Sequence, residues 1–287
     1  MTGSSILSFF LKSVFLGTIV ALLLLLFLPD LRQGNGFTQG LFSDPSVSAS
    51  RESYFAPLSR SAPAVVNIYS VSIEKDTGLF RNQPRERTSL GSGVIMTDNG
   101  YILTCHHVVR NADSIFVAVQ DGQILEAEIV GNDPLTDLAV LKVSADNLHV
   151  IPQVKEPDIH VGDVVMAIGN PFGLRHTVTT GIISALNRNI RAGKNKVYSD
   201  FIQVDASINP GNSGGPLLNI NGSLIGINTA IFQKAEGIGF AIPIDHARRI
   251  VDELIHYGKV RRGWLGVSVQ ELDTQLLSHF QLDRQKG

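Results

Sequence analysis

Two short stretches carry side chains able to do covalent chemistry. In "SINPGNSGGPLL", residues 207–218, Ser213 sits within Gly-Asn-Ser-Gly-Gly on a turn that enters an apolar run. A serine acts as a nucleophile when its hydroxyl meets a substrate carbonyl and nearby N–H groups converge where negative charge develops. Gly211 permits backbone angles that aim such amides, and bulky side chains there would block the carbonyl. In "ILTCHHVVRNAD", residues 102–113, His106 and His107 stand side by side. Histidine titrates near neutral pH and is the commonest general base. Adjacency alone does not say which of the two would serve.

The elements that must position these groups read as strands. Asn99-Gly100 separates "GVIMT" from "YILT", Asp121-Gly122 separates "SIFVAVQ" from "QILEAEIV", and Asn221-Gly222 separates "PLLNI" from "SLIGINTAI". Such pairs predict tight hairpins with both central residues at positive φ. Together with "AVVNIYSV", "LAVLKV", "VVMAIG", "TVTTGIISAL", "FIQVD" and "GIGFAIP" they give about a dozen short, Val- and Ile-rich strands, the signature of barrels or sandwiches. Strand–helix alternation is missing, which argues against a doubly wound sheet. One stretch, "IDHARRIVDELIHYG", has apolar residues at helical spacing, with Asp245 as an expected cap and Gly258 as a stop. His246 and His256 read as surface or edge residues of that helix. His149, His160, His176 and His279 lack partners at ligand spacing, so neither a metal site nor a cofactor is expected.

The bulk numbers fit this picture. The chain has 287 residues, 44% hydrophobic and 17% charged, enough for a sizeable core. Net charge is −2 with no basic block, which speaks against nucleic acid as a partner. Cys105 is the single cysteine, so an internal disulfide is excluded. The N-terminus differs from the rest. Residues 6–28, "ILSFFLKSVFLGTIVALLLLLFL", are apolar apart from Lys12 and long enough for the ~30 Å hydrocarbon core of a bilayer. The run exceeds a signal-peptide core, and no small-x-small cleavage site follows. The expected organisation is a membrane anchor at 1–30 with the N-terminus inside, a flexible tether at 31–53, and a body from residue 54.

"DASINPGNSGGPLL" resembles the active-site segment of the HtrA (Deg) family of serine proteases. "LGSGVIMTDNGYILTCHHVV" and "DPLTDLAVLKV" are similar to that family's histidine and aspartate segments, and the order His, Asp, Ser is that of the chymotrypsin-like class. The resemblance runs from about Tyr54 to the chain end. It implies an all-β fold of two six-stranded barrels with the active site between them. The family pattern Thr-x-x-His-Val falls on Thr104 to Val108, which makes His107 the base and leaves His106 at a variable position. Ser213 is the implied nucleophile and Asp137 the residue that orients the imidazole, with Asp133 a rival four residues earlier. Gly211 and Ser213 are the implied oxyanion donors. Ser207, Ile208 and Asn228 would shape a neutral pocket for a small apolar residue such as Val or Ala. Cys105 stands where the family usually has Asn, which puts a thiol near the cleft; a merely packed cysteine is the commoner case for such a residue.

The resemblance also implies regulation. Asn212 replaces the aspartate that pairs with a freed N-terminus in the chymotrypsin class, so that activation route is closed. The basic stretch "NRNIRAGKNKVYSD", residues 187–200, would be the sensor loop, with Arg188 a contact. Residues 258–287 contain "GWLGV", similar to the opening of a PDZ domain, and are too few to bury a core of their own. This divides the body into a protease domain at 54–257 and the start of a PDZ at 258–287, where activating peptide C-termini would bind. The short stretch after the first strand, with the anchor, resembles the membrane-bound regulatory members of the family. Those act on an anti-sigma factor and assemble as homotrimers, and "ESYFAPLSRSAPAVV", with Tyr54 and Phe55, matches the trimer segment.

Overall fold

The computed structural model describes residues 3–27, 53–75, 84–169, 177–191, 197–230, 237–263, 266–267 and 274–281. The chain divides into two units, Met1–Ser53 and Tyr54–Gly287. The tether, the 192–196 tip of the basic stretch, and Trp264 and Leu265 lie outside the described residues.

In the first unit the described residues include one helix, α1 (Gly3–Phe27), which runs for 25 residues. Its side chains are described at 8–23 and 26, and among the described residues no helix is long and apolar enough to cross a membrane.

The second unit opens with α2 (Phe55–Ser61) and a 3-10 turn at Ala62–Ala64. Twelve strands follow. The first six are β1 (Val65–Lys75), β2 (Pro84–Ile95), β3 (Tyr101–Cys105), β4 (Ser114–Ala118), β5 (Ile124–Asp133) and β6 (Leu138–Val143). They close into a barrel in the order β1-β2-β3-β6-β5-β4. The last six are β7 (Val164–Gly169), β8 (Thr177–Arg191), β9 (Val197–Val204), β10 (Pro216–Asn219), β11 (Leu224–Thr229) and β12 (Gly239–Pro243). They close into a second barrel, β10-β11-β12-β9-β8-β7. The pairings between these strands are all antiparallel, and closure leaves no long sheet edge open. This is the all-β, chymotrypsin-like arrangement that the sequence led one to expect.

The three Gly turns fall where expected, but they are built differently. Gly100, Gly122 and Gly222 have φ of 97°, 90° and 77°, whereas Asn99, Asp121 and Asn221 are not at positive φ. At Asp121-Gly122 the Gly122 N–H donates to Val119 O and the Val119 N–H to Gln123 O. The loop is therefore a type I turn closed by a left-handed glycine bulge rather than a two-residue primed turn. Asn219 to Ser223 repeats the same pair of bonds.

The helix expected at residue 244 is α4 (Ile244–Tyr257), which follows the four-residue α3 (His106–Val109) in chain order. Gly258 (φ 70°) ends α4, donating to Leu254 O as foreseen. Asp245 does not cap it: no side-chain cap bond forms, and the carboxylate lies 3.2 Å from Arg248. The apolar face of α4 packs on β5, β6, β11 and β12. That is why "LAVLKV" and "LIGINT" are buried almost without alternation: each strand has a barrel interior on one face and a partner on the other. One apolar cluster runs from the first barrel through Leu218, Leu224 and Ile227 to α4. A second, smaller one fills the interior of the other barrel around Val165, Ile202 and Ile225. A last helix, α5 (Thr274–His279), stands apart in sequence.

The stretch 187–200 is less irregular than its composition implied. Its described residues belong to β8 and β9, whose register shifts repeatedly between Ile183 and Ile190. Bulges of this kind erase the alternation that a strand shows in sequence.

Candidate active site

His107 is the second residue of α3, immediately after β3. Asp137 sits in the connection from β5 to β6, at the left-handed φ of 62°. That conformation lets the Asp137 carbonyl accept the His106 N–H at 2.8 Å while its side chain turns toward His107. Asp137 Oδ2 is 2.7 Å from His107 Nδ1, and Oδ1 accepts the His107 backbone N–H at 3.0 Å. Thr229 Oγ1, arriving from the end of β11 in the other barrel, donates to Oδ2 at 3.1 Å. The carboxylate is buried, whereas the imidazole is 30% exposed. A carboxylate that accepts a hydrogen bond from Nδ1 fixes the ring with its proton on that nitrogen. The outer ring nitrogen is then the basic one.

Asp133, the rival, faces elsewhere. Its oxygens take Arg262 Nη1 and Nη2 at 2.9 and 2.6 Å, together with the hydroxyl and N–H of Thr136. Burial pulls this carboxyl upward, but the guanidinium fork and Thr136 outweigh it and hold the group below the usual carboxylate range.

Ser213 lies in the turn before β10. Asn209-Pro210-Gly211-Asn212 closes through an Asn212 N–H to Asn209 O bond of 3.0 Å, with Gly211 at φ 103°. Pro followed by a positive-φ Gly is the type II pattern, which only glycine fills without strain. Among the described residues, the N–H groups of Gly211 and Ser213 donate to no backbone carbonyl, so both remain available to a ligand oxygen. The Ser213 hydroxyl accepts the Ala230 N–H at 3.1 Å and makes no hydrogen bond to His107.

The turn is held against the first barrel by contacts that the sequence did not announce. The Ser92 N–H donates to Ser213 O at 2.9 Å, Ser92 Oγ to Gly211 O at 2.6 Å, and Thr104 Oγ1 to Ser92 O at 2.7 Å. Gly214 (φ 84°) is what allows this approach. A Cβ there would fall 2.2 Å from Ser92 O and 2.3 Å from Thr104 Oγ1. Small polar residues inside strands carry no local signal of such contacts, so this role of Ser92 and Thr104 was invisible before folding, although Thr104 belongs to the histidine motif.

The expected pocket residues differ in their exposure. Ser207 is exposed, and its carbonyl accepts from Thr179 Oγ1 and Asn212 Nδ2. Ile208 is half-buried beside Gly239. Asn228 is fully buried within β11: its amide donates to Ile168 O and Pro216 O, and its backbone carbonyl accepts the Gly214 N–H. It braces the serine turn from behind rather than presenting a side chain to a pocket. Asn212 is buried too, a setting in which a neutral amide needs no cationic partner. Arg188 is exposed and pairs with Gln203 Oε1 at 3.0 Å.

Cys105 is buried beneath the pair, its thiol donating to Asn228 O at 3.4 Å. Burial, and then the Asp137 charge, push its pKa well above the usual thiol range. The thiol lies beside His107 and Asp137 but is enclosed and protonated, as a packed cysteine is. It nevertheless joins His107 and Asp137 in a group of three donor atoms that lie within 4.8 Å of one another, which no sequence spacing announced.

With this geometry in place, comparison with known proteins is informative. Residues 91–227 match the family model for the trypsin-like peptidase domain. The chain is 47% identical over 270 residues to serine endoprotease DegS of Escherichia coli, covering 91% of this chain and 74% of that protein. A probable periplasmic DegP-like serine endoprotease of Halomonas elongata is 52% identical over 205 residues, covering 70% of this chain and 43% of its own length. Among solved structures, the HtrA-type protease AlgW with tripeptide superposes with a TM-score of 0.71 at 48% identity, over 80% of this chain and 72% of that one. A serine endoprotease from Yersinia pestis gives 0.62 at 50% identity, over 75% and 71%. The chain belongs to the HtrA family of serine endoproteases, and is DegS-like within it.

Proposed function

We propose that Ser213, His107 and Asp137 are the catalytic residues of this protease. Ser213 attacks the scissile carbonyl. His107 takes its proton at the outer ring nitrogen and returns one to the leaving amine, while Asp137 holds the tautomer and stabilises the imidazolium. The N–H groups of Gly211 and Ser213 receive the oxyanion. Because the hydroxyl rests on the Ala230 N–H, attack begins with rotation of Ser213 about its Cα–Cβ bond toward the imidazole. A small apolar side chain beside Ile208 would precede the cleaved bond.

In the cell, this reading makes the protein a periplasmic enzyme anchored in the inner membrane by its N-terminal helix. It cleaves a regulatory membrane protein, an anti-sigma factor, in an envelope stress response. The observation that carries the reading is the match to DegS, which covers 91% of this chain. The apolar run at residues 6–28 supports an anchor, since at ~1.5 Å per residue it would match a ~30 Å hydrocarbon core. The β1–β2 connection is only residues 76–83, short as in the membrane-bound regulators. Residues 54–257 would be the protease domain and 258–287 the opening of a PDZ that takes activating peptide C-termini. Tyr54 and Phe55, both exposed, would seat a homotrimer.

The DegP-like relative favours a second reading, a protease for many unfolded periplasmic proteins. One experiment separates the two: digestion of a single-pass membrane regulator beside unfolded casein, with Ser213→Ala as the blank. A single cut in the regulator with casein spared supports the first reading. Casein broken into many fragments supports the second.

A further inference from the structure

The chemistry described above leaves one buried nucleophile unused. Cys105 ends β3 with no exposed surface, and its Sγ, a ring nitrogen of His107 and a carboxylate oxygen of Asp137 all lie within 4.8 Å of one another. These are three different donor types, converging from β3, α3 and the β5–β6 connection. Thiolate, imidazole and carboxylate are the ligands zinc takes, and three protein ligands with one open position is a common arrangement for it. The open side exists here, because the imidazole is partly exposed while the other two donors are buried.

We propose that Cys105, His107 and Asp137 form an inhibitory site for a thiophilic divalent cation of the zinc type. The inference rests on the triad reading above, since inhibition follows from the capture of His107. Bond lengths of ~2.0–2.3 Å place tetrahedral ligands about 3.5 Å apart, so the His107–Asp137 contact of 2.7 Å must open to admit the cation between donors that all lie within 4.8 Å. His107, on a helix of four residues, is the element able to shift. Coordination releases the thiol proton to solvent, while the imidazole binds through Nδ1 as a neutral ligand with its proton moved to the outer ring nitrogen, and no oxidation state changes. The bound cation removes the proton acceptor from Ser213 without filling the substrate cleft, so kcat falls while KM holds. Hard cations such as Mg²⁺ and Ca²⁺ have no affinity for a thiolate and do not compete.

The test uses the purified full chain titrated with Zn²⁺ and then Cd²⁺. The expected results are a loss of kcat that chelator reverses, and no response to Mg²⁺ at the same concentrations. Relative to its own metal-free rate, Cys105→Asn should need at least ~10-fold more metal for the same fractional loss. Binding is read apart from activity in Ser213→Ala, by the ultraviolet charge-transfer absorbance of a cadmium–thiolate bond. Cys105 is the only cysteine, so that band has one source. One band per chain that disappears in the Ser213→Ala, Cys105→Asn double variant supports the site. Equal inhibition of wild type and Cys105→Asn, or no band at saturating Cd²⁺, overturns it. If Ser213→Ala keeps full activity, the triad reading fails instead, whatever the band does.

Discussion

Asp137 grips one residue twice: Oδ2 meets the His107 ring at 2.7 Å and Oδ1 meets the His107 main-chain N–H at 3.0 Å. Ring position and backbone position are therefore set by the same carboxylate. In Asp137→Asn, Oδ1 can still accept the backbone N–H, but the amide nitrogen faces the ring and selects the wrong tautomer. Folding should survive, and kcat should fall about ten-thousand-fold. A melting curve close to wild type beside an intact-looking but inactive enzyme would verify this. A stable variant of wild-type activity would refute it.

The adjacent histidines should behave oppositely. His107→Ala and Ser213→Ala should each cost roughly 10^4–10^6 in kcat. His106→Ala should retain activity within about an order of magnitude, because only the His106 backbone is tied to Asp137. Initial rates on one peptide substrate decide the matter, and the reverse pattern would reassign the base.

Gly214→Ala should damage both stability and turnover. The new Cβ would strike Ser92 O and Thr104 Oγ1, at a φ that L-residues rarely adopt. A loss of about 1–3 kcal/mol is expected, with activity reduced further because the nucleophile's turn is displaced. Denaturant unfolding monitored beside the kinetics checks both parts.

The Asp133–Arg262 fork predicts an acid-sensitive contribution to stability. The folded carboxyl titrates below its unfolded value, so its contribution is complete above about pH 4 and is lost as pH falls through the folded pKa. Arg262 is 39% exposed, and solvent screening trims the value of the pair to about 1–2 kcal/mol. Asp133→Asn should lower the melting temperature at pH 7 and flatten its fall below pH 4. An unchanged acid limb would remove the fork from the account.

His246 adds a second slope at higher pH. Burial, then the Arg249 charge, with a smaller contribution from Arg262, lower its pKa against the opposing pull of Asp200 and Asp133. A histidine depressed on folding stabilises fully above its unfolded pKa of about 6.5 and loses that contribution as pH falls through the folded value. His246→Gln should reduce the change in melting temperature between about pH 7 and pH 5. An identical profile would contradict the shift.

What the sequence could tell was whatever is written locally. The strands, the glycine turns and the Gly258 stop follow from neighbours a few residues apart. The turn type was misjudged because Asn-Gly and Asp-Gly suit a primed turn and a glycine bulge equally, and strand twist decides between them. Asp245 looked like a cap but found Arg248 one turn away. The bracing of the serine turn by Ser92, Thr104 and Asn228, and of Asp137 by Thr229, could not be read, since each contact joins positions distant in the chain. Cys105 illustrates the same limit: its neighbours in sequence suggest a cleft, whereas its neighbours in space enclose it.

The double hydrogen bond from Ser92 to the serine turn has a consequence for protein engineering. A strand of one barrel sets the height of the nucleophile carried by the other, through Ser92 N–H and Oγ. The barrels are thus not interchangeable modules. A chimera that swaps the second barrel for that of another protease inherits a turn gauged to a foreign β2. It should recover function only when the Ser92, Thr104 and Gly214 set is transplanted together.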